Sequence, residues 1–386
     1  MLFDIGKRGL DMKVVIAIDS LKGSLSSMEA GKAIRKGILN VKPDAKVIVK
    51  PLADGGEGTT DALIEGLGGE KVYLNVTGPL GKEVTAYYGQ IKESETAIIE
   101  MASAAGITLI KREERNPLQA TTYGVGEMIC HAMECGCRNF IIGIGGSATN
   151  DGGIGMLEAL GIRFLDKEGN SVGRGGAALS KIDMIDMLHV HPLLKECKFQ
   201  VACDVNNLLC GENGATYIYG PQKGVTEEIK EMLDQAMASY AKKTADAVGK
   251  DFSNAKGAGA AGGLGFAFLS FLDAELTPGI QLILDAVKLE EEVKDADVVV
   301  TGEGRLDHQT AMGKAPVGVA KLAKKYGARV IAFAGAVTKD AVKCNEAGID
   351  AYFPIVRGVT TLDEAMDPVH ARENMISTVE QVFRLL

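Results

Sequence analysis

Phe140–Leu160 reads FIIGIGGSATNDGGIGMLEAL. An apolar run of strand length, Phe140–Ile144, breaks at Gly145-Gly146 and crosses Ser147, Thr149, Asn150 and Asp151. It then re-enters an apolar pattern (Ile154, Met156, Leu157, Leu160) at helical spacing. A strand that turns into a helix through glycines gathers backbone N–H groups and a positive helix end at one point, a seat for a phosphate or carboxylate. The Ser147 and Thr149 hydroxyls add donors, and Asp151 is a candidate holder of Mg²⁺ or of a substrate hydroxyl. An ordinary βα turn with Asn or Asp as its cap is the plainer account. The density of glycine and short polar residues between two apolar segments favours a binding loop.

Working outward, Lys13–Ile18 (KVVIAI) is a buried-type strand ending at Asp19, and SLKGSLSS leads from it into a helix with Met28, Ala30, Ala33, Ile34 and Ile38 on its apolar side. Lys46–Lys50 is a second strand, emptying into a glycine loop that carries Asp54 and Glu57. The pattern returns near the C-terminus: Asp297–Thr301 ends at GEGRLD, Arg329–Ala334 ends at Gly335, and Ala351–Val356 closes the set. Strands alternating with helices imply a parallel sheet with its loops on one edge. The fold class expected is therefore α/β: a discontinuous Rossmann-like parallel-sheet domain (12–64 and 291–386) interrupted by a large inserted α/β domain (65–290). Residues 71–100 of the insertion alternate polar and apolar with Val, Thr and Tyr, which suggests antiparallel or mixed strands. Its later landmarks are a strand Phe199–Ala202 ending near Asp204 and a long amphipathic helix Glu227–Val248. Residues 1–11 read as an extension outside the fold, and the active site is expected in the interdomain cleft.

Composition excludes several classes. The net charge is −9 and no run of Lys or Arg appears, so nucleic acid is not an expected partner. No apolar run approaches the ~20 residues that span a bilayer. Seven cysteines without a CxxC pair fit free thiols in a reducing cytoplasm. Residues 257–262, GAGAAG, match GxGxxG in form, but polar DFSNAK stands where the dinucleotide fingerprint needs a strand. Tight packing is the better reading of those glycines.

What remains is a set of carboxylates, each just past an apolar strand: Asp19, Asp54, Asp204, Glu303 and Asp307. Ligands of open α/β sheets bind outside the carboxyl ends of the strands. Lys22, in a Gly/Ser loop, and Lys223, after Gly220-Pro221-Gln222, are candidate cations for phosphate. Carboxylates for Mg²⁺ and a base, lysines for charge and glycine turns for phosphate oxygens together describe phosphoryl transfer. Among the carboxylates Asp204 has no charged neighbour in sequence, whereas Asp307 is close to Arg305 and Asp19 to Lys22. Asp204 is therefore the first candidate for base or hydroxyl orienter, with Asp307 second.

Seven ordered motifs carry a resemblance over nearly the whole chain: IAIDSLKGSLSS (16–27), PLADGGEGTTDAL (51–63), GIGGSATNDGG (143–153), ACDV (202–205), GPQKG (220–224), GAGAAGGLG (257–265) and TGEGRLDHQT…GKAP (301–316). In these the sequence resembles the bacterial glycerate kinases, with departures at Leu21, at Asn207-Leu208 and at His308. The resemblance implies two α/β domains, D-glycerate as substrate, ATP with Mg²⁺ as donor and phosphoglycerate, most simply 2-phosphoglycerate, as product. Of the residues singled out, Asp204, Asp307 and Lys22 are expected to be catalytic. Nucleotide contacts are expected of Asp19, Ser24, Gly145, Gly146, Ser147, Thr149, Asn150, Gln222, Lys223, Gly302 and Glu303, and metal binding of Asp54 and Asp151. A kinase of another small hydroxy acid or sugar, a nicotinamide-dependent hydroxy-acid dehydrogenase and a small-anion-binding protein are the alternatives.

Overall fold

In the computed structural model, which describes residues 12–53 and 58–386, the apolar runs of the sequence become strands. In chain order they are β1 (Lys13–Ile18), β2 (Lys46–Pro51), β3 (Glu70–Thr77), β4 (Glu83–Ile91), β5 (Thr96–Glu100), β6 (Asn139–Gly143), β7 (Arg163–Leu165), β8 (Met184–Asp186), β9 (Lys198–Ala202), β10 (Glu275–Thr277), β11 (Val298–Leu306), β12 (Arg329–Val337) and β13 (Ala351–Pro354). The expected 1–11 extension and the candidate metal ligand Asp54 lie outside the described residues.

The chain separates into two units. Of the described residues, the first holds 12–53, Asp61–Leu67 and Ile280–Leu386; the second holds 58–60 and Gly68–Gly279. In the first unit five strands form one sheet in the order β13-β12-β11-β1-β2, every pair parallel. All six residues of β1 are buried, as expected of a central strand covered on both faces. Counted along this unit, the order is 2-1-3-4-5, the flavodoxin-like variant of a doubly wound sheet. Chain direction across the sheet reverses between β1 and β11, and ligands of such sheets bind at that switch point. Ser26 and Glu29 form a capping box at the start of helix Ser27–Val41. That helix buries Ala30, Ala33, Ile34 and Ile38, the face its spacing predicts. Its Gly37 admits the helix Pro368–Phe383 so closely that a Cβ there would stand 2.7 Å from the Ile376 carbonyl oxygen.

In the second unit six strands run β10-β9-β6-β5-β4-β3. The pairs β3–β4 and β4–β5 are antiparallel and the remaining pairs parallel, which is the mixed sheet that the alternation in residues 71–100 suggests. Its core packs Phe140 on Phe199, ring centroids 4.8 Å apart, against Ile142, Val201, Tyr240 and Phe268.

Two expectations need correction. GEGRL and Gly335 do not end their strands: β11 runs through to Leu306, paired with Val337 of β12. Glu303 is therefore a strand residue. The helix after the Gly145–Gly153 loop is also short, Ile154–Ala159, and supplies little dipole. Among the described residues no helix is long and apolar enough to cross a membrane, and the cysteines are all free thiols.

Candidate active site

β1 delivers Asp19 to the switch point. The Asp19 N–H donates to the Gly302 carbonyl of β11 (2.9 Å), and its Oδ1 accepts the Ser20 N–H (2.7 Å). Ser27 clamps the strand ends from below: its hydroxyl donates to the Ile18 carbonyl (2.7 Å) and accepts the Leu52 N–H (2.8 Å). The following loop closes on itself through reciprocal Leu21–Leu25 backbone bonds. Gly302 has to be glycine, because a Cβ there would lie 1.8 Å from the Phe333 carbonyl oxygen. Glycine within a strand marks this kind of close backbone approach.

Past Gly302, Glu303 and Asp307 are fixed by one residue. The buried Thr310 hydroxyl donates to Glu303 Oε1 (2.5 Å) and accepts the Asp307 N–H (3.1 Å). Asp307 in turn caps the helix His308–Ala311 through the Gln309 and Thr310 N–H groups (2.9 and 3.3 Å). Its other oxygen takes both Arg305 Nε and an Arg305 terminal nitrogen (3.1 and 2.9 Å). Burial pushes the Asp307 carboxyl up, but Arg305 and the two N–H groups outweigh it and hold the group below its ordinary value. An acid held ionised by four donors is a poor proton acceptor, so Asp307 fits structure and charge balance better than the role of base. His308 is exposed and does not line the cavity described next.

These residues surround a cavity of about 370 Å³ at the switch point, lined by Asp19, Lys22, Ser24, Glu303, Arg305 and Lys314 among others. The carboxylates form its floor: the Asp307 and Glu303 side chains are only 8% and 11% exposed, against 65% for Arg305 and 38% for Lys314. Lys22 is exposed as well. The cavity thus has an acidic floor and a basic rim. Arg305, Thr310 and Lys314 are site residues that sequence reasoning misses; the one signal for them is their place inside the 301–316 motif.

The second unit carries the other expected residues, and burial changes their meaning. Gly145 and Gly146 are exposed, whereas Ser147 through Asp151 are buried. Asp151 is fully buried; its Oδ2 accepts the Thr122 N–H and hydroxyl (2.8 and 2.9 Å) and its Oδ1 the Gly153 N–H (3.1 Å). Burial raises its carboxyl above the ordinary value in spite of these donors. The expected metal role does not fit a carboxylate so enclosed; Asp151 braces the loop and closes the start of helix Ile154–Ala159. Lys223 is likewise 2% exposed, its ammonium donating to Ser147 Oγ (2.6 Å) and the Thr149 carbonyl (2.7 Å). Burial pulls it down to about 7, against an upward push from the Asp151 charge. Lys223 therefore ties the loop from beneath, while Gln222 is exposed beside it. Asn150 donates to the Thr216 hydroxyl (3.0 Å). The GAGAAGG segment packs on the same loop: a Cβ on Gly262 would lie 2.1 Å from the Thr149 carbonyl oxygen. Asp204 is exposed past β9, and its Oδ1 accepts the Gly279 N–H (2.9 Å). Among the described residues no group of three or more His, Cys, Asp or Glu is placed to hold a metal.

The sequence profile of the glycerate kinase family matches residues 14–386. The chain is 47% identical to a glycerate kinase of Bacillus subtilis over 96% of its own length and 97% of the relative's. It is 48% identical to the glycerate 2-kinase of Escherichia coli over 92% and 93%. The crystal structure of a candidate glycerate kinase 2 from Salmonella typhimurium LT2 superimposes with a TM-score of 0.90 at 45% identity, covering 97% of this chain and 98% of that one. With a profile match and relatives that run nearly end to end, this chain belongs to the glycerate kinase family.

Proposed function

We propose that the protein transfers the γ-phosphoryl group of ATP to a hydroxyl of D-glycerate, giving 2-phosphoglycerate. One observation carries this reading: the switch-point cavity with an acidic floor and a basic rim, built from two of the motifs shared with the bacterial glycerate kinases. The name of the Escherichia coli relative, glycerate 2-kinase, supports the position of transfer. A hydroxyl acceptor and an anionic substrate each find their complement there.

We assign the nucleotide's phosphates to the exposed Gly145-Gly146 turn, which leads into the loop that Lys223 and Asp151 hold. Mg²⁺ is commonly held by substrate phosphates and only one or two carboxylates, and Asp151 is too enclosed to be one of them. Of the two carboxylates expected as base we prefer Asp204, which is exposed, because Asp307 is buried and held ionised by a guanidinium and two backbone N–H groups. Lys22 supplies charge at the rim. No observation favours the dehydrogenase reading, because the GAGAAG glycines serve packing. Free thiols support a reducing compartment, the cytoplasm.

The test is a coupled ATP-consumption assay over small hydroxy acids, followed by NMR of the product. D-Glycerate should be the best acceptor and the phosphorus should appear on its 2-oxygen. ATP turnover that is independent of every hydroxy acid, or that prefers a sugar, refutes the proposal.

A further inference from the structure

We infer that the switch-point cavity of the first unit is the seat of the hydroxy acid and not of the nucleotide. Asp19, Ser24 and Glu303, expected from sequence as ATP contacts, line this cavity and are assigned another partner. The inference rests on the kinase reading above and assigns its acceptor site.

Size is the first ground. At about 370 Å³ the cavity lies at the small end of small-molecule sites and accommodates a three-carbon acid. The lining is the second. It contains no aromatic ring on which an adenine base would stack, and its ionisable members are three carboxylates and three cations. Such a formally neutral set suits a monoanion that also carries hydroxyls. A triphosphate, several times more negative, would meet the acidic floor at a cost.

The vertical order of charge is the third ground. Hydroxyl groups donate, and the floor presents acceptors: the carboxylates of the buried residues Asp19 and Glu303. Ser24 lines the cavity as well. Carboxylates need cations, and the rim presents Lys22, Arg305 and Lys314. Lys314 Nζ lies 3.8 Å from Glu303 Oε2, so one side chain links rim and floor. A small acid with two hydroxyls would place its carboxylate on the rim and one hydroxyl on the floor. Its second hydroxyl would stay at the mouth for transfer.

The experiment measures binding separately for the two substrates by calorimetry: D-glycerate alone, and a non-hydrolysable ATP analogue with Mg²⁺ alone. Wild type is compared with Glu303→Gln and Lys314→Met, with circular dichroism as the check on folding. Lys314 is a part-exposed lysine, so its variant keeps the inference testable if Glu303→Gln does not fold. Each variant should bind glycerate at least ~10-fold more weakly, the scale of one charge-assisted hydrogen bond, and bind the ATP analogue within about twofold of wild type. Glycerol, which lacks the carboxylate, should bind wild type and Lys314→Met alike. Loss of ATP-analogue affinity with glycerate binding intact overturns the inference and makes the cavity a nucleotide site. Unchanged binding of both ligands in folded variants also overturns it, while a wild type that still phosphorylates glycerate leaves the kinase reading standing. A wild type that neither binds nor phosphorylates glycerate removes both.

Discussion

Thr310→Val is the sharpest test of how the floor of the cavity is built. Thr310 is fully buried, and its one hydroxyl does two things: it donates to Glu303 Oε1 at 2.5 Å and accepts the Asp307 N–H at 3.1 Å. Valine keeps the volume and replaces the hydroxyl by a methyl. The variant loses a hydrogen bond to a charged acceptor, worth about 1.5–3 kcal/mol, and leaves a buried N–H unsatisfied at about 1–3 kcal/mol. The expected local destabilisation is therefore about 2.5–6 kcal/mol. Hydrogen exchange at the amides of residues 307–312 reads it directly, and protection there should fall by two or more orders of magnitude. Without this anchor Glu303 can turn toward Lys314, so kcat/KM for glycerate should fall at least ~10-fold with ATP-analogue affinity unchanged. Thr310→Ser retains the hydroxyl and should recover most of both losses. Wild-type exchange and activity in the valine variant would refute the positioning role. A serine variant as impaired as the valine one would move the cause to the lost methyl group.

Four further outcomes follow from the same geometry. Asp204→Asn keeps shape but loses proton affinity, so it should lower kcat by ~10²-fold or more with ATP-analogue binding intact; near-normal kcat returns the base to the cavity carboxylates. Lys22→Ala should lower kcat/KM at least ~10-fold through loss of a rim charge, read in the coupled assay. The native Lys223 ammonium sits near 7 and the unfolded one near its ordinary 10.5, so between these values the unfolded chain binds more protons and stability rises with pH. Denaturant unfolding should accordingly show wild type gaining on Lys223→Met, by up to about 1.4 kcal/mol per pH unit, as pH climbs from about 7. Ile34→Ala, which empties a fully buried site in helix Ser27–Val41, should cost about 2–5 kcal/mol in the same unfolding assay.

Much of the fold is legible in the sequence because apolar runs and alternation are local signals. β1, β9 and the helix Glu227–Val248 stand where composition puts them. The antiparallel edge of the second sheet follows from the alternation in residues 71–100. Glycine misleads in β11 and β12, since the usual reading of glycine is a strand end. Here Gly302, Gly304 and Gly335 line a seam where two strands approach: a Cβ on Gly335 would stand 2.7 Å from the Gly304 carbonyl oxygen. Burial is the other thing hidden. Asp151 and Lys223 lie among glycines and polar residues, like site residues, yet their partners are Thr122 and Ser147, 29 and 76 residues away. Sequence spacing does not show which polar residues of a loop face inward.

Strand order explains why the acceptor site is only half readable from sequence. Asp19, Glu303 and Asp307 are each recognisable as carboxylates beside apolar strands, but nothing local says that β1 and β11 are neighbours. The sheet makes them so: Val14 pairs with Val298, with the whole second unit lying between them in sequence. A chain that left β1 for β2 and then returned on the far side of β1 has opened the switch point there. The chain leaving β1 and the end of β11 must then diverge around one gap. Asp19, Glu303 and Asp307 form its floor, and Lys22, Arg305 and Lys314 reach its rim. The position of the cavity is thus a property of the strand order and not of any local run of sequence.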